Sequence, residues 1–371
     1  MIKQINFETL SLQQRIGQLF FIGLPGTIVD DKTRELLDHI SPGGICLFTR
    51  NIKSANQTRE LLDEVRKILP VEPFLALDQE GGLVDRLRRI VTPMAAVKNL
   101  TAKGDSLCVE KLAELTGEIV RILGFNLNFA PVVDVIDEKR EKFVNGLYSR
   151  GFGKNTSDVV NLAGRYLAKL QATGCLGTIK HFPGYGATEV DSHEELPKVN
   201  LTLEELLQKD LVPYQKFFAE NNVFCVMVGH AAYPRTDLQE TDDKGNYLPS
   251  SLSRNFINKL LRDRFNYQNL VITDDLEMGA IIKNYGMGEA AKMALKAGND
   301  QLLICASTDA MTEAFDAVCK AVEAGEISLN RIEKSLERIE RIKSKLSPPL
   351  EFNEIRIGEI SVEIKKMNDM C

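Results

Sequence analysis

Short apolar runs recur along this chain, and stretches with helical periodicity separate them. The runs are LFFIGLPG, ICLFTRN, PFLALDQEGG, FNLNFAPVVDV, LGTIKHFPG, FCVMVGHAAYP, NLVITDDLEM and DQLLICA. Each is apolar and ends in polar, glycine or proline residues, the signature of a buried strand that runs into a loop. Between them lie predicted helices. Ser11 and Gln14 fit a capping box that opens a short first helix. TRELLDHI and Asn56–Leu69 follow. Cys108–Leu123 carries apolar residues at 112, 115, 119 and 122 and is closed by Gly124. Further helices are predicted over Val159–Leu170, Leu201–Phe218, 251–264, 287–297, 309–324 and 328–346. Residues 235–250 read as a polar surface loop, Pro348-Pro349 stops the last helix, and 350–371 is a short charged tail.

Strands fully buried on both faces belong to parallel sheets, and about eight strand–helix units are counted. The fold class is therefore α/β, a single-domain (β/α)8 TIM barrel over residues 1–349 with closing C-terminal helices. A doubly wound sheet is the alternative, but no GxGxxG follows the first strand.

Composition narrows the partners. The 371 residues carry a net charge of −6, which argues against nucleic acid. No apolar span is long enough to cross a membrane. The N-terminus lacks the layout of a signal peptide, so a cytoplasmic location is expected. Seven cysteines are scattered without a CxxC, and all are read as reduced thiols.

In a barrel the strand ends open on one face, so residues distant in sequence can share one pocket. The polar residues at those ends are Asp78-Gln79-Glu80, Asp134, Lys180-His181, His230 and Asp274-Asp275. A strand-end carboxylate can be a nucleophile, a metal ligand or a helix N-cap, and only one of Asp274 and Asp275 can cap well. Asp191 and His193 lie two apart, so in an extended loop they face the same way and can form an acid–base pair. A solvated surface turn is the bland alternative. His181 and His230 read as core histidines or, with the aspartates, as a metal site. No HxxxH or HxH spacing supports the latter, and no metal is expected. Arg86 and Arg150 sit in loops after strands, where they would suit hydroxyl or carboxylate groups of a substrate.

LSLQQRIGQLFFIGLPG, GGICLFTRN, LDQEGGLVDRL, FAPVVDV, SRGFG, KHFPGYG, DSHEELP, HAAYP, TDDLEM and AGNDQLL occur in that order. On these motifs the chain resembles glycoside hydrolase family 3, in particular its bacterial β-N-acetylglucosaminidases (β-hexosaminidases). The resemblance implies a retaining, cofactor-free exo-hydrolase that acts on a small saccharide as a monomer. It implies Asp274 as nucleophile, His193 as general acid/base and Asp191 as the group that orients His193. It places Asp78, Arg86, Arg150, Lys180 and His181 around a terminal N-acetylglucosamine. The implied role is recycling of cell-wall muropeptides. Two-domain members of the family take their acid from the second domain. Here the stretch after Asp274 reads as barrel and closing helices, so the acid is expected from the Asp191–His193 loop. Tyr185 stands where the motif usually reads histidine, and Leu83 where arginine is common. A phosphorylase, which would admit phosphate where a second carboxylate would repel it, and a silent sugar-binding protein are the competing functions.

Overall fold

The computed structural model describes residues 3, 6–101, 106–143, 145–190, 192, 195–220 and 222–370. Eight parallel strands close into a barrel, as the alternation predicts. They are β1 (Phe20–Gly23), β2 (Gly44–Leu47), β3 (Phe74–Leu77), β4 (Leu127–Asn128), β5 (Leu176–Phe182), β6 (Cys225–Val228), β7 (Leu270–Asp275) and β8 (Gln301–Ile304). Each pairs with the next, and β8 pairs back to β1 through Phe20↔Leu302 and Ile22↔Ile304. All residues of β1 to β6 and of β8 are buried, which is why these segments show no polar alternation. Phe21 stacks near Phe74 and Phe129, at 6.4 and 5.4 Å between ring centroids. That ring lies so close to β2 that a Cβ on Gly44 would come within 2.5 Å of it.

Three elements differ from the sequence-based expectation. The helix predicted over Leu201–Phe218 is two helices, Leu203–Gln208 and Val212–Ala219, broken where Pro213 starts the second. In the break, the buried Asp210 carboxylate accepts two hydrogen bonds from the Arg140 guanidinium, at 2.5 and 3.0 Å. The charged tail contains a helix, Glu354–Met370, that buries Ile357, Ile360, Ile364 and Met367. It lies along the helix Ser106–Leu123 and is pinned by Arg356 to Glu118 at 2.6 and 2.7 Å. Ser361 Oγ accepts the Thr92 N–H and Asn368 Oδ1 accepts the Ala95 N–H. Finally, Cys46, Cys175, Cys225, Cys305 and Cys319 are free and buried, but Cys108 is disulfide-bonded. Cys108 is only half-buried at the start of its helix, unlike the strand and core thiols. Among the described residues no helix is long and apolar enough to cross a membrane.

The closing helix Leu329–Lys343 covers the N-terminal end of the barrel. Arg338 reaches Asp300, just before β8, at 3.0 Å, and Lys343 Nζ reaches Gln18 Oε1, before β1, at 2.9 Å. Lys343 is buried, with its ammonium 5.4 Å from the Phe74 ring centroid. Burial pulls its pKa down to about 7 against the opposing pull of Glu72. Between that value and the ordinary 10.5, the unfolded chain holds a proton that the folded chain does not. Stability therefore rises with pH across this window, by at most about 1.4 kcal/mol per pH unit. Thermal melts from pH 7 to 10 should show this rise in the native protein and a flatter profile in Lys343→Met. Identical profiles would remove Lys343 as its source.

Candidate active site

The C-terminal end of the barrel opens into a cavity of about 520 Å³, within the range of small-molecule sites. Asp78, Arg86, Arg150, Lys180, His181 and Asp274 all line it. Their convergence follows from the barrel: each lies at a strand tip or in the loop that leaves one.

The segment after β3 builds one wall. Asp78 leaves the strand, and Gln79–Gly81 pairs with Val84–Asp85 as a small hairpin. Gly81 and Gly82 make the turn at φ 96° and 59°, where a side chain would be strained. Gln79 is buried and structural. Its Oε1 accepts the Arg86 and Leu87 N–H groups at 2.8 and 3.1 Å, and its Nε2 donates to Asp85 at 2.9 Å. This leaves Asp78 and Glu80 to meet the cations. Lys180, only 3% exposed in its side chain, donates to Asp78 and to Glu80, each at 2.7 Å. Arg150 grips Glu80 with both arms of its fork, at 2.8 and 2.9 Å. Arg86 lies 3.5 Å from Asp78. Burial pushes the Glu80 carboxyl up, but Arg150 and Lys180 outweigh it and hold Glu80 well below the usual carboxylate range. Lys180, opposed by its own burial, is raised by Asp78 and Glu80 and stays charged.

Lys180 and His181 both line the cavity, although consecutive strand residues ordinarily face opposite ways. Their peptide bond is cis, and the pairing of β5 with β6 shifts register between Ile179 and Phe182. His181 Nδ1 lies 2.8 Å from Asp134, so Nδ1 carries a proton and donates to that carboxylate. Asp134 also accepts the Tyr185 N–H at 2.6 Å. His181 is thus held by a carboxylate. His230 is held by a carbonyl and a hydroxyl: its Nε2 lies 3.0 Å from the Asp275 carbonyl and its Nδ1 2.7 Å from Ser251 Oγ.

Asp274 and Asp275 end β7 and neither caps a helix. Met278 holds the N-cap position of the next helix, Gly279–Ile282. Asp274 Oδ1 accepts the Asp275 N–H at 2.9 Å, and Asp275 Oδ1 accepts the Glu277 N–H at 3.0 Å. Their ionisations are driven apart. Burial pushes the Asp274 carboxyl up, yet His181, His230 and Lys180 bring it below its ordinary value. Burial, together with the Glu277 and Asp274 charges, raises Asp275 to about 7. Near neutral pH Asp274 is the ionised member of the pair, and Asp275 is partly protonated.

Asp191 and His193 lie outside the described residues. Ser192, between them in the chain, is buried in the cavity wall, and its carbonyl accepts the Ala280 N–H at 3.0 Å. Among the described residues, no three His, Cys, Asp or Glu side chains are grouped to hold a metal ion. A larger cleft of about 750 Å³, between the helices Thr156–Ala172 and Val212–Ala219, contains no strand-end residue.

Sequence reasoning named Glu80 as a strand-end polar residue and assigned it no role. The structure makes it the shared counter-ion of Arg150 and Lys180. Glu80→Gln leaves Arg150 without its carboxylate in a buried setting. Denaturant unfolding should show a loss of about 3 kcal/mol, the scale of breaking a buried pair from one side. A loss below about 0.5 kcal/mol would mean the clamp is not structural.

A family description, glycosyl hydrolase family 3 N terminal domain, matches residues 11–342. A beta-hexosaminidase of Pseudomonas aeruginosa is 34% identical over 291 residues, which span 76% of this chain and 81% of that relative. A beta-hexosaminidase of Haemophilus influenzae is 31% identical over 300 residues, spanning 80% and 81%. The solved structure of a family 3 beta-N-acetylglucosaminidase from Paenibacillus sp. str. FPU-7 superposes with a TM-score of 0.86 at 33% identity. It covers 97% of this chain and 69% of that one. With the fold, the strand-tip residues and these relatives in agreement, the chain belongs to glycosyl hydrolase family 3.

Proposed function

We propose that this chain is a retaining exo-β-N-acetylglucosaminidase that cleaves a terminal β-linked N-acetylglucosamine. The observation that carries this reading is the ionised, half-buried Asp274 at the tip of β7, facing a cavity walled by Lys180, His181, Arg150 and Asp78. An ionised carboxylate in a water-poor pocket is a competent nucleophile, and a ring of fixed donors can hold sugar hydroxyls and an amide. The names of the relatives, beta-hexosaminidase and beta-N-acetylglucosaminidase, support the same substrate class.

In the first step an Asp274 oxygen attacks the anomeric carbon as the bond to the leaving oxygen breaks. Imidazolium at His193 gives its proton to that oxygen, and Asp191 keeps the ring oriented and charged. In the second step neutral His193 takes a proton from water. The water oxygen bonds to the anomeric carbon, and the Asp274 ester is released. Asp78, Arg86, Arg150, Lys180 and His181 hold the sugar throughout. Ser192 in the cavity wall supports a role for its neighbours Asp191 and His193. The natural substrates on this reading are cell-wall muropeptides met in the cytoplasm, and the enzyme works as a monomer.

Release of p-nitrophenol from its β-N-acetylglucosaminide is the direct assay. Asp274→Ala should lower kcat/KM by at least about a thousandfold, and native-like activity would refute the nucleophile. His193→Ala should cost an alkyl glycoside more than the nitrophenyl one, whose leaving group needs little protonation. Equal losses on both would argue against a proton donor. Repeating the assay in phosphate separates the chemistries: free sugar marks hydrolysis, and sugar 1-phosphate marks phosphorolysis.

A further inference from the structure

The cavity changes character between floor and mouth. Its floor is charged and its groups are committed to one another or to the sugar of the reading above. Two further polar lining side chains are committed to backbone. Glu277 accepts the Ala306 and Ser307 N–H groups, at 2.5 and 2.9 Å. Asn145 donates to the Thr188 carbonyl at 2.8 Å and accepts the Leu147 N–H at 3.0 Å. Lys283 is itself already engaged. Among the described residues, the exposed side chains at the opening include apolar ones. Ile282, on the helix after β7, lines the cavity and is 51% exposed. Val84, in the hairpin, and Ala306, after β8, line it too. Leu83, beside Val84, is 58% exposed. Three separate elements thus present aliphatic surface around one opening, where single scattered apolar residues would need no explanation.

We propose that Val84, Ile282 and Ala306 form the subsite for the leaving group, and that it selects aglycones presenting an apolar alkyl or aryl face. This rests on the glycosidase reading. With the terminal sugar gripped at the floor, whatever is bonded to its anomeric carbon must extend through the mouth. The cavity, about 520 Å³, exceeds one pyranose ring and leaves room for such a group. Apolar contact there strengthens capture and the first chemical step. It cannot affect hydrolysis of the covalent intermediate, from which the aglycone has departed.

The test compares 2-phenylethyl and methyl β-N-acetylglucosaminides, whose alcohols differ little as leaving groups. The native enzyme should favour the phenylethyl glycoside in kcat/KM by about tenfold, the scale of one small apolar contact in a pocket. Ile282→Asn and Val84→Asn should each cut that preference severalfold. Inhibition by free N-acetylglucosamine, which has no aglycone, should stay within about twofold in both. Melting curves confirm that the variants are folded. The inference is overturned by a native preference near unity, by variants that keep the full preference, or by variants that weaken the free sugar equally. A native enzyme inactive on every glycoside overturns the glycosidase reading and this inference with it.

Discussion

Two cations sit side by side at the buried floor of this barrel, and the Glu80 carboxylate is what permits it. Lys180 and Arg150 would repel each other there without a shared counter-ion, and burial would strip each of solvation. Glu80 lies between them and accepts hydrogen bonds from both. Its own burial would favour the neutral acid, but two facing cations reverse that. The result is a rigid row of charge, Asp78–Lys180–Glu80–Arg150, whose side chains are fixed before any ligand arrives. Such pre-arranged donors cost no reorganisation at the moment of binding.

The same logic explains the paired aspartates at the tip of β7. Two adjacent carboxyls at one half-buried strand end cannot both ionise cheaply. Here the surroundings decide which one does. Asp274 faces His181, His230 and Lys180, whereas Asp275 faces the negative charges of Glu277 and Asp274. His230 serves the pair twice. The ring helps lower the Asp274 carboxyl and its Nε2–H holds the Asp275 carbonyl, so one imidazole bears on both electrostatics and geometry.

Much of this was legible in the sequence, for definite reasons. Parallel strands buried on both faces write themselves as short apolar runs, so the eight units could be counted. Barrel topology then gathers strand-end residues, so Asp78, Lys180, His181 and Asp274 could be grouped without knowing any distance. Pairings were not legible. Glu80 meets Arg150 seventy positions away and His181 meets Asp134 at a separation of 47, and no local pattern encodes such partners. The break near Asp210 was signalled by Pro213 but masked by the apolar period on either side. The last helix was hidden because Ile355 and Val362, 77% and 54% exposed, blur the stripe made by Ile357, Ile360, Ile364 and Met367.

That last helix ties the far end of the chain to the catalytic face. Ser361 and Asn368 hold the backbone of Thr92 and Ala95. The adjoining Met94 carbonyl accepts the Gly82 N–H, and Asp85 accepts the Met94 N–H at 2.9 Å, so the hairpin carrying Glu80 rests on this shelf. Loss of the final turns, by a protease or a premature stop codon, therefore reaches the Glu80 wall of the cavity through three short links. A lesion that leaves the whole barrel intact can still blunt the enzyme.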